Sequence, residues 1–588
     1  MFALLLASAL SLDGSWEFAF REGRPCHEAI EPEFVATDRI PVPGCFDAMP
    51  KWYMKRGTGL YRRTFTLDRP LESSWLVVDG LGLYGRFFVD GREIGTDDLP
   101  WSRVELEVGA LSAGTHTVFA AVDNRFDWSY QKLVRTYYDF HCWGGFFRGV
   151  SLVSDNRRLF VRTRDYRTGE VEVEVANEVK VGGEGERRKL VFDGKNEVEV
   201  VFKDGKATVK VPDFKLWSPE HPNLHEVEVA DSRASLTSGQ ESASPLKARF
   251  GIRTIEAKDR GLYLNGERIF LKGANRHDQQ LQLGAATPEG YMLIDIQNLK
   301  AMGGNFFRGA HYPQSQRFLD LCDENGVMVW EESLGWGNGQ EYTRQNDVNE
   351  LTDPDFIEKQ VRQTRLMVRN SFNHPSVIIF AFLNEFASDT PEGKPIADKL
   401  IETIKAEDSG RLVTFACNRI VGDLCNENTD IISINTYPGT IYSPPGLHEE
   451  LRDKLHNQEG SGVDWVTRYF REKYPEKTMI ISEMGASGIY GQHDLSAATN
   501  SEEFQCEHNG LVAEAVYANP DLAGLAFWQF FDTRTCWRDC GRDGKKNLSF
   551  SSAGQFTWWR QPKAVVTVLA DWFRNRTPAN LKAGQSRR

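Results

Sequence analysis

From about residue 254 onward, short apolar runs alternate with helical patterns, and they do so eight times. The runs are RIFLKGANRH, GNFFRGAHY, GVMVWEES, SVIIFAFLNE, LVTFACN, IISINTYP, TMIISEMG and AGLAFWQFFD. Short apolar stretches bounded by turn residues suit buried strands. Segments such as EGYMLIDIQNLKAMG, QSQRFLDLCDENG and DPDFIEKQVRQTRLMVRNS lie between them and carry helical patterns. Strand alternating with helix builds a parallel sheet. Eight such units over about 320 residues predict a closed (β/α)8 TIM barrel.

The chain has 588 residues, more than one core accommodates. Residues 1–155 are β-rich, with SWLVVDG, YGRFFVDGREIG and HTVFAAVDN punctuated by Gly, Asp and Asn. Asp90-Gly91 within VDGRE is a hairpin signal. A β-sandwich is expected there. Residues 156–253 alternate apolar and polar with period two, as in GEVEVEVANEV and NEVEVVFKDGKATVKV. They predict a small immunoglobulin-like β-sandwich that ends in the polar loop LTSGQESAS. Residues 254–588 form the barrel.

The net charge is −13 and no long basic run occurs, which argues against nucleic acid and anionic membrane as partners. No stretch of about 18 apolar residues exists to span a bilayer. Phe2–Leu6 is apolar and Ala7-Ser8-Ala9 mimics a cleavage site, but a basic leader is missing. The segment reads equally as a first strand, so cytoplasmic and exported locations both stay open. The nine cysteines are scattered and no C-x-x-C occurs. Cys536 and Cys540 are the closest pair, two ligands short of a zinc site. Free buried thiols are expected, with no metal and no cofactor.

Functional residues of such a barrel sit where strands end. The predicted strands end at or near His277, His311, Glu331/Glu332, Asn384-Glu385, Asn435 with Tyr437, Glu483, and Trp528 with Asp532. Glu385 and Glu483 close the fourth and seventh strands, on opposite walls of one mouth. Two facing carboxylates suit glycosidic bond cleavage, one protonated as acid and one ionised as nucleophile. Each alone would read more simply as a helix cap or an ion-pair partner.

Longer motifs carry a resemblance. NFFRGAHYPQSQRFLDLCDENGVMVW and RNSFNHPSVIIFAFLNE resemble two signatures of glycoside hydrolase family 2, and ISEMGA is similar to its nucleophile strand. LDGSWEF, GTGLYRRTF and WGGFFRGVSL are similar to the family's jelly-roll sugar-binding sandwich, and FGIRTIE to its entry into the barrel. The resemblance implies a retaining exo-β-glycosidase that acts on a carbohydrate by double displacement. It implies Glu385 as acid/base, Glu483 as nucleophile and Asn384 as partner of the sugar 2-hydroxyl. It places Asn435 and Tyr437 near the nucleophile, His311 in the substrate pocket, Trp528 as a wall and Asp139 at the mouth. His277 reads equally as structural. Members often form dimers or tetramers, although no segment here specifies an interface.

Length and the segment GQFTWWRQPK most resemble the β-glucuronidase branch, which binds the sugar carboxylate through an Asn-x-Lys-Gly motif. Here Ser551, Ser552 and Ala553 precede Gly554, so both the amide and the cation are missing. A neutral, β-galactoside-type sugar is therefore expected. The alternative is a glucuronidase or galacturonidase with a relocated clamp, supplied by Arg542, Lys545 or Lys546. A non-catalytic carbohydrate-binding protein is the reading from another class; it leaves two intact glutamates without purpose. Phe386 stands where that branch usually has Pro, either as core packing or as a reshaped wall.

Overall fold

The structure is a computed structural model that describes residues 9–30, 34–177, 185–230, 246–341, 349–439, 448–535 and 550–585. The expectations for Met1–Ser8, the LTSGQESAS loop, Cys536, Cys540, Arg542, Lys545 and Lys546 lie outside the described residues.

At the N-terminal end a six-stranded antiparallel sheet faces a four-stranded one. Trp16, Phe18, Tyr61, Leu76, Val78, Phe87 and Val118 belong to the single apolar cluster they share. The Asp-Gly signal is used as expected: Asp90 and Gly91 take φ of 49° and 79° between strands Tyr84–Val89 and Arg92–Asp97. Left-handed values at both positions match the twist of a two-residue hairpin. A second sandwich follows, of three- and four-stranded sheets closed over Val171, Val173, Leu190, Phe192, Val227 and Phe250. Burial alternates along His225–Val229, as its period-two pattern requires.

The barrel strands are β1 (Leu271–Arg276), β2 (Phe306–Gly309), β3 (Met328–Glu332), β4 (Val377–Ala381), β5 (Leu412–Thr414 and Ala416–Cys417), β6 (Ile431–Asn435), β7 (Thr478–Met484) and β8 (Leu522–Phe527). All neighbours are parallel, and β1 pairs with both β2 and β8. The ring closes through β5, whose first half pairs with β4 and second half with β6. Every residue of β3, β4 and β7 is buried, because helices cover the outside while side chains fill the inside. That double burial explains the unbroken apolar run into Asn384. The three quoted helical segments form helices Glu289–Ala301, Gln316–Asn325 and Pro354–Asn370. Asp353 caps the last of these by accepting from the Asp355 and Phe356 amides, with Pro354 in its first turn.

A segment of the first sandwich crosses onto the barrel mouth. Lys132 Nζ lies 3.0 Å from Asp353, and Lys359 donates to the Tyr130 carbonyl at 2.8 Å. Asn338 Nδ2 donates to Tyr138 Oη at 3.3 Å. The Phe140 ring packs on His277, His311 and Tyr312.

The seven described cysteines are free thiols, six of them buried. Among the described residues no helix is long and apolar enough to cross a membrane.

Candidate active site

Beyond Ala381 the β4 chain leaves the sheet. Leu383 and Glu385 adopt φ of 43° and 53°, a region that side chains with a Cβ rarely occupy. Such a conformation persists only where surroundings over-determine it. Here the Glu385 amide donates to the Ala416 carbonyl at 2.9 Å, and Asn384 N donates to Gly335 at 3.2 Å. Gln340 Nε2 donates to the Glu385 carbonyl. The kinked backbone leaves Asn384 fully buried and Glu385 half-buried.

Arg308, on β2, is wholly buried and organises the floor. Its Nη1 donates to Glu483 Oε1 at 2.5 Å and to Asn275 Oδ1 at 2.8 Å. Its Nη2 donates to Glu332 Oε2 and to Asn384 Oδ1, both at 2.8 Å. A buried guanidinium needs such partners, because unpaired charge in a low-dielectric interior is costly. Burial pushes the Glu332 carboxyl up, but Arg308 and His311 beside it hold it below its ordinary value. Tyr437 Oη donates to the other Glu483 oxygen at 2.7 Å. Glu483 thus accepts from a cation on one side and a phenol on the other.

Glu385 sits differently. Asn435 Nδ2 donates to its Oε1 at 2.9 Å and to Asn384 Oδ1 at 3.1 Å. Ser482 Oγ donates to Asn435 Oδ1 at 2.7 Å and fixes that amide. Burial, followed by the negative charges of Glu483 and Asp139, pushes the Glu385 carboxyl up to about 8. A carboxyl raised in this way suits a general acid.

The pH dependence follows from that sign. A carboxyl raised to about 8 keeps its proton at neutral pH and loses it as pH rises through that value. The kcat/KM profile on a substrate with a poor leaving group should fall on its alkaline side near pH 8. Asp139→Asn removes one of the raising charges, so it should move that limb to lower pH. A limb that ignores Asp139→Asn would separate Asp139 from Glu385.

The structure brings all eight predicted site residues to one mouth. His311 Nδ1 lies 3.0 Å from Glu332 Oε1, and its ring stacks on Trp528 with centroids 5.3 Å apart. Half-buried Trp528 also receives the His277 ring edge-on at 5.4 Å. His277 Nδ1 lies 3.2 Å from Tyr312 Oη, so this histidine joins Tyr312 to Trp528. Asp139 comes from the crossing segment, close enough to act on both Glu385 and Tyr437. Phe386 is buried against Phe415 at 4.9 Å and serves the core rather than the wall.

Other strand-end residues divide by direction. Glu332 turns inward to Arg308. Glu331 instead accepts from the Gln314 amide and Ser371 Oγ, and burial pushes it up to about 7. Asp532 is 2.7 Å from Lys563 Nζ and accepts from the Gly554 amide, a structural pairing. Arg308, Gln340 and Ser482 escaped sequence reasoning. For Arg308 a signal existed: a lone cation inside NFFRGA, where a buried strand tolerates charge only if it is paired.

One grouping among the described residues has metal-ligand spacing: Asp320, Asp323 and His374. Asp320 and Asp323 lie on the helix before β3 and His374 lies just before β4, at the end away from the mouth. Arg249 lies 2.5 Å from Asp320, and His374 Nδ1 lies 2.6 Å from Asp323, so the charges are already paired.

Two glutamates at strand ends facing one C-terminal mouth of a (β/α)8 barrel, one of them raised by burial, are the arrangement of a barrel glycoside hydrolase. Residues 255–569 match glycosyl hydrolases family 2, TIM barrel domain, and residues 155–253 match glycosyl hydrolases family 2. The chain belongs to glycoside hydrolase family 2. It is 26% identical to a β-glucuronidase of Streptococcus agalactiae, over 94% of each chain. It is 27% identical to one of Paenibacillus borealis, over 95% of each. Among solved structures it resembles a β-galacturonidase of Eisenbergiella tayi bound to galacturonate, with 25% identity and a TM-score of 0.78 over 97% of this chain and 98% of that one. A β-D-glucuronidase of Dictyoglomus thermophilum shares the fold, with 22% identity and a TM-score of 0.80 over 98% of this chain and 99% of that one.

Proposed function

We propose that this chain is a retaining exo-β-glycosidase of terminal β-linked uronic acids, glucuronides or galacturonides. The observation that carries the uronide is the near full-length similarity to proteins named for that activity. This reading ranks above the neutral, β-galactoside-type sugar expected from the loss of the Asn-x-Lys pair.

In the first step Glu483 attacks the anomeric carbon while Glu385 gives its proton to the departing oxygen. Arg308 and Tyr437 hold Glu483 in one orientation for attack. Once the glycosyl ester forms, the Glu483 charge is gone and one reason for the raised Glu385 carboxyl disappears. Glu385, now ionised, deprotonates the water that releases the sugar. Asn384 Oδ1 accepts from Arg308 and Asn435, while its buried Nδ2 has no acceptor among the described residues. That amide is poised to donate to the sugar 2-hydroxyl, a contact that strengthens in the transition state. The segment carrying Asp139 and Phe140 closes one side of the mouth, which supports attack on chain ends.

The neutral-sugar reading keeps one observation in its favour. Ser551 and Ala553 are buried and short, and bring no charge to the position of the missing motif. A panel of nitrophenyl β-glycosides decides. The uronides should be turned over with kcat/KM well above the galactoside and glucoside. Turnover of neutral glycosides alone would overturn the uronide reading.

A further inference from the structure

Beside this mouth lies a buried cation that the mechanism does not use. Arg534 follows Trp528 by six positions and is 8% exposed. Its two-residue strand, Thr533–Arg534, pairs antiparallel with Phe550–Ser551, so Thr533 faces Ser551 and Arg534 faces Phe550. Arg534 therefore adjoins the stretch from which the Asn and Lys are missing. Its carbonyl accepts from the His141 amide at 3.3 Å and from Gln279 Nε2 at 3.4 Å. His141 is two residues beyond Asp139, and Gln279 two beyond His277. These bonds tie Arg534 to two segments that build the mouth.

The guanidinium lies over the Tyr53 ring at 5.0 Å and the Phe550 ring at 5.7 Å, and Nη1 donates to Tyr53 Oη. Nε is buried with no hydrogen-bond partner among the described residues, and no described carboxylate lies within ion-pair distance. Neighbouring cations are already paired. Arg560 meets Asp295 at 2.8 Å, and Arg56 lies 3.7 Å from Asp47. Lys563 uses its three protons on Asp532, Gly488 and Ser552. Nearby His141 also has both ring nitrogens without a hydrogen-bond partner among the described residues, its Nε2 being 3.9 Å from Asp47. A buried guanidinium with no counter-ion among the described residues is costly, and a substrate carboxylate would offset that cost. Arginine's planar fork suits a carboxylate better than lysine's point charge does.

We propose that Arg534 is the specificity-determining residue that binds the substrate's sugar carboxylate, in place of the cation missing at Ala553. The inference rests on the uronide reading above. The rival role is a purely structural one, a guanidinium stacked between Tyr53 and Phe550.

The test compares the full-length wild type with Arg534→Met and Arg534→Lys on nitrophenyl β-glucuronide, β-galacturonide and β-galactoside. Truncating one side of a buried charge pair should lower kcat/KM on the preferred uronide by about 10²-fold or more. That loss should exceed any loss on the galactoside by the same factor, and Arg534→Lys should recover part of it. Calorimetric binding of free glucuronate and galacturonate to Glu483→Gln, with and without Arg534→Met, reads the same contact without turnover. Equal losses on all three substrates, or unchanged uronate binding, would assign Arg534 the structural role. Thermal melting of each variant separates misfolding from lost recognition. A wild type that turns over no uronide overturns both readings. A wild type active on uronides beside an equally active Arg534→Met overturns only this one.

Discussion

Glu483→Gln should leave a folded protein that binds sugar and scarcely turns it over, with kcat reduced by at least about 10³-fold. The amide is nearly isosteric, so the packing of β7 is preserved. What disappears is the anionic oxygen that forms the glycosyl ester. Arg308 then donates to a neutral amide, and its remaining carboxylate partner Glu332 keeps it paired at 2.8 Å. Folding should therefore survive, which makes the kinetic loss interpretable. Glu483→Ala adds a sharper check, because it leaves space where the carboxylate stood. Azide supplied at high concentration should restore cleavage of an activated nitrophenyl glycoside and yield the α-glycosyl azide. A surviving Glu483→Gln turnover would show that the nucleophile lies elsewhere.

Glu385→Gln carries the second large effect, and its size should depend on the leaving group. General acid catalysis contributes about 10² to 10⁴-fold, and most where the departing oxygen is basic. A methyl or oligosaccharide glycoside should lose about that factor. A dinitrophenyl glycoside leaves without a proton, so its first step should be nearly spared while release of the glycosyl enzyme slows. A burst of dinitrophenol followed by slow steady turnover is the expected trace. The same variant should abolish the alkaline limb near pH 8, since the group raised to about 8 has been removed. An equal loss on both leaving groups would take the acid role away from Glu385.

The barrel was legible because its signal is local. Each of SVIIFAFLNE and TMIISEMG is a short run buried on both faces, and such runs look alike wherever the helices on either side are covered. The candidate catalytic pair was legible for the same reason: a strand that surfaces into a carboxylate marks its own end. The roles of Glu331 and Glu332 were not separable from sequence. They are adjacent, and strand alternation sends one toward the helical layer and the other toward Arg308. His277 was ambiguous because only its neighbours Tyr312 and Trp528 decide what its ring does. Phe386 was ambiguous until Phe415 was seen against it.

By itself, then, the sequence determined the order of strands and helices, the two sandwiches ahead of the barrel, and the two glutamates at matching strand ends. These follow from periodicity and from contiguous motifs. The tertiary structure decided how those glutamates differ. Arg308 and Glu483 are 175 positions apart, and Asn435 reaches Glu385 across 50. The tertiary structure also set the buried Arg534 guanidinium, which has no carboxylate partner among the described residues, beside the stretch Phe550–Ser551. The physical reason is that protonation and recognition depend on desolvation and on which charges face one another. Both are properties of distance in space, which chain order does not encode.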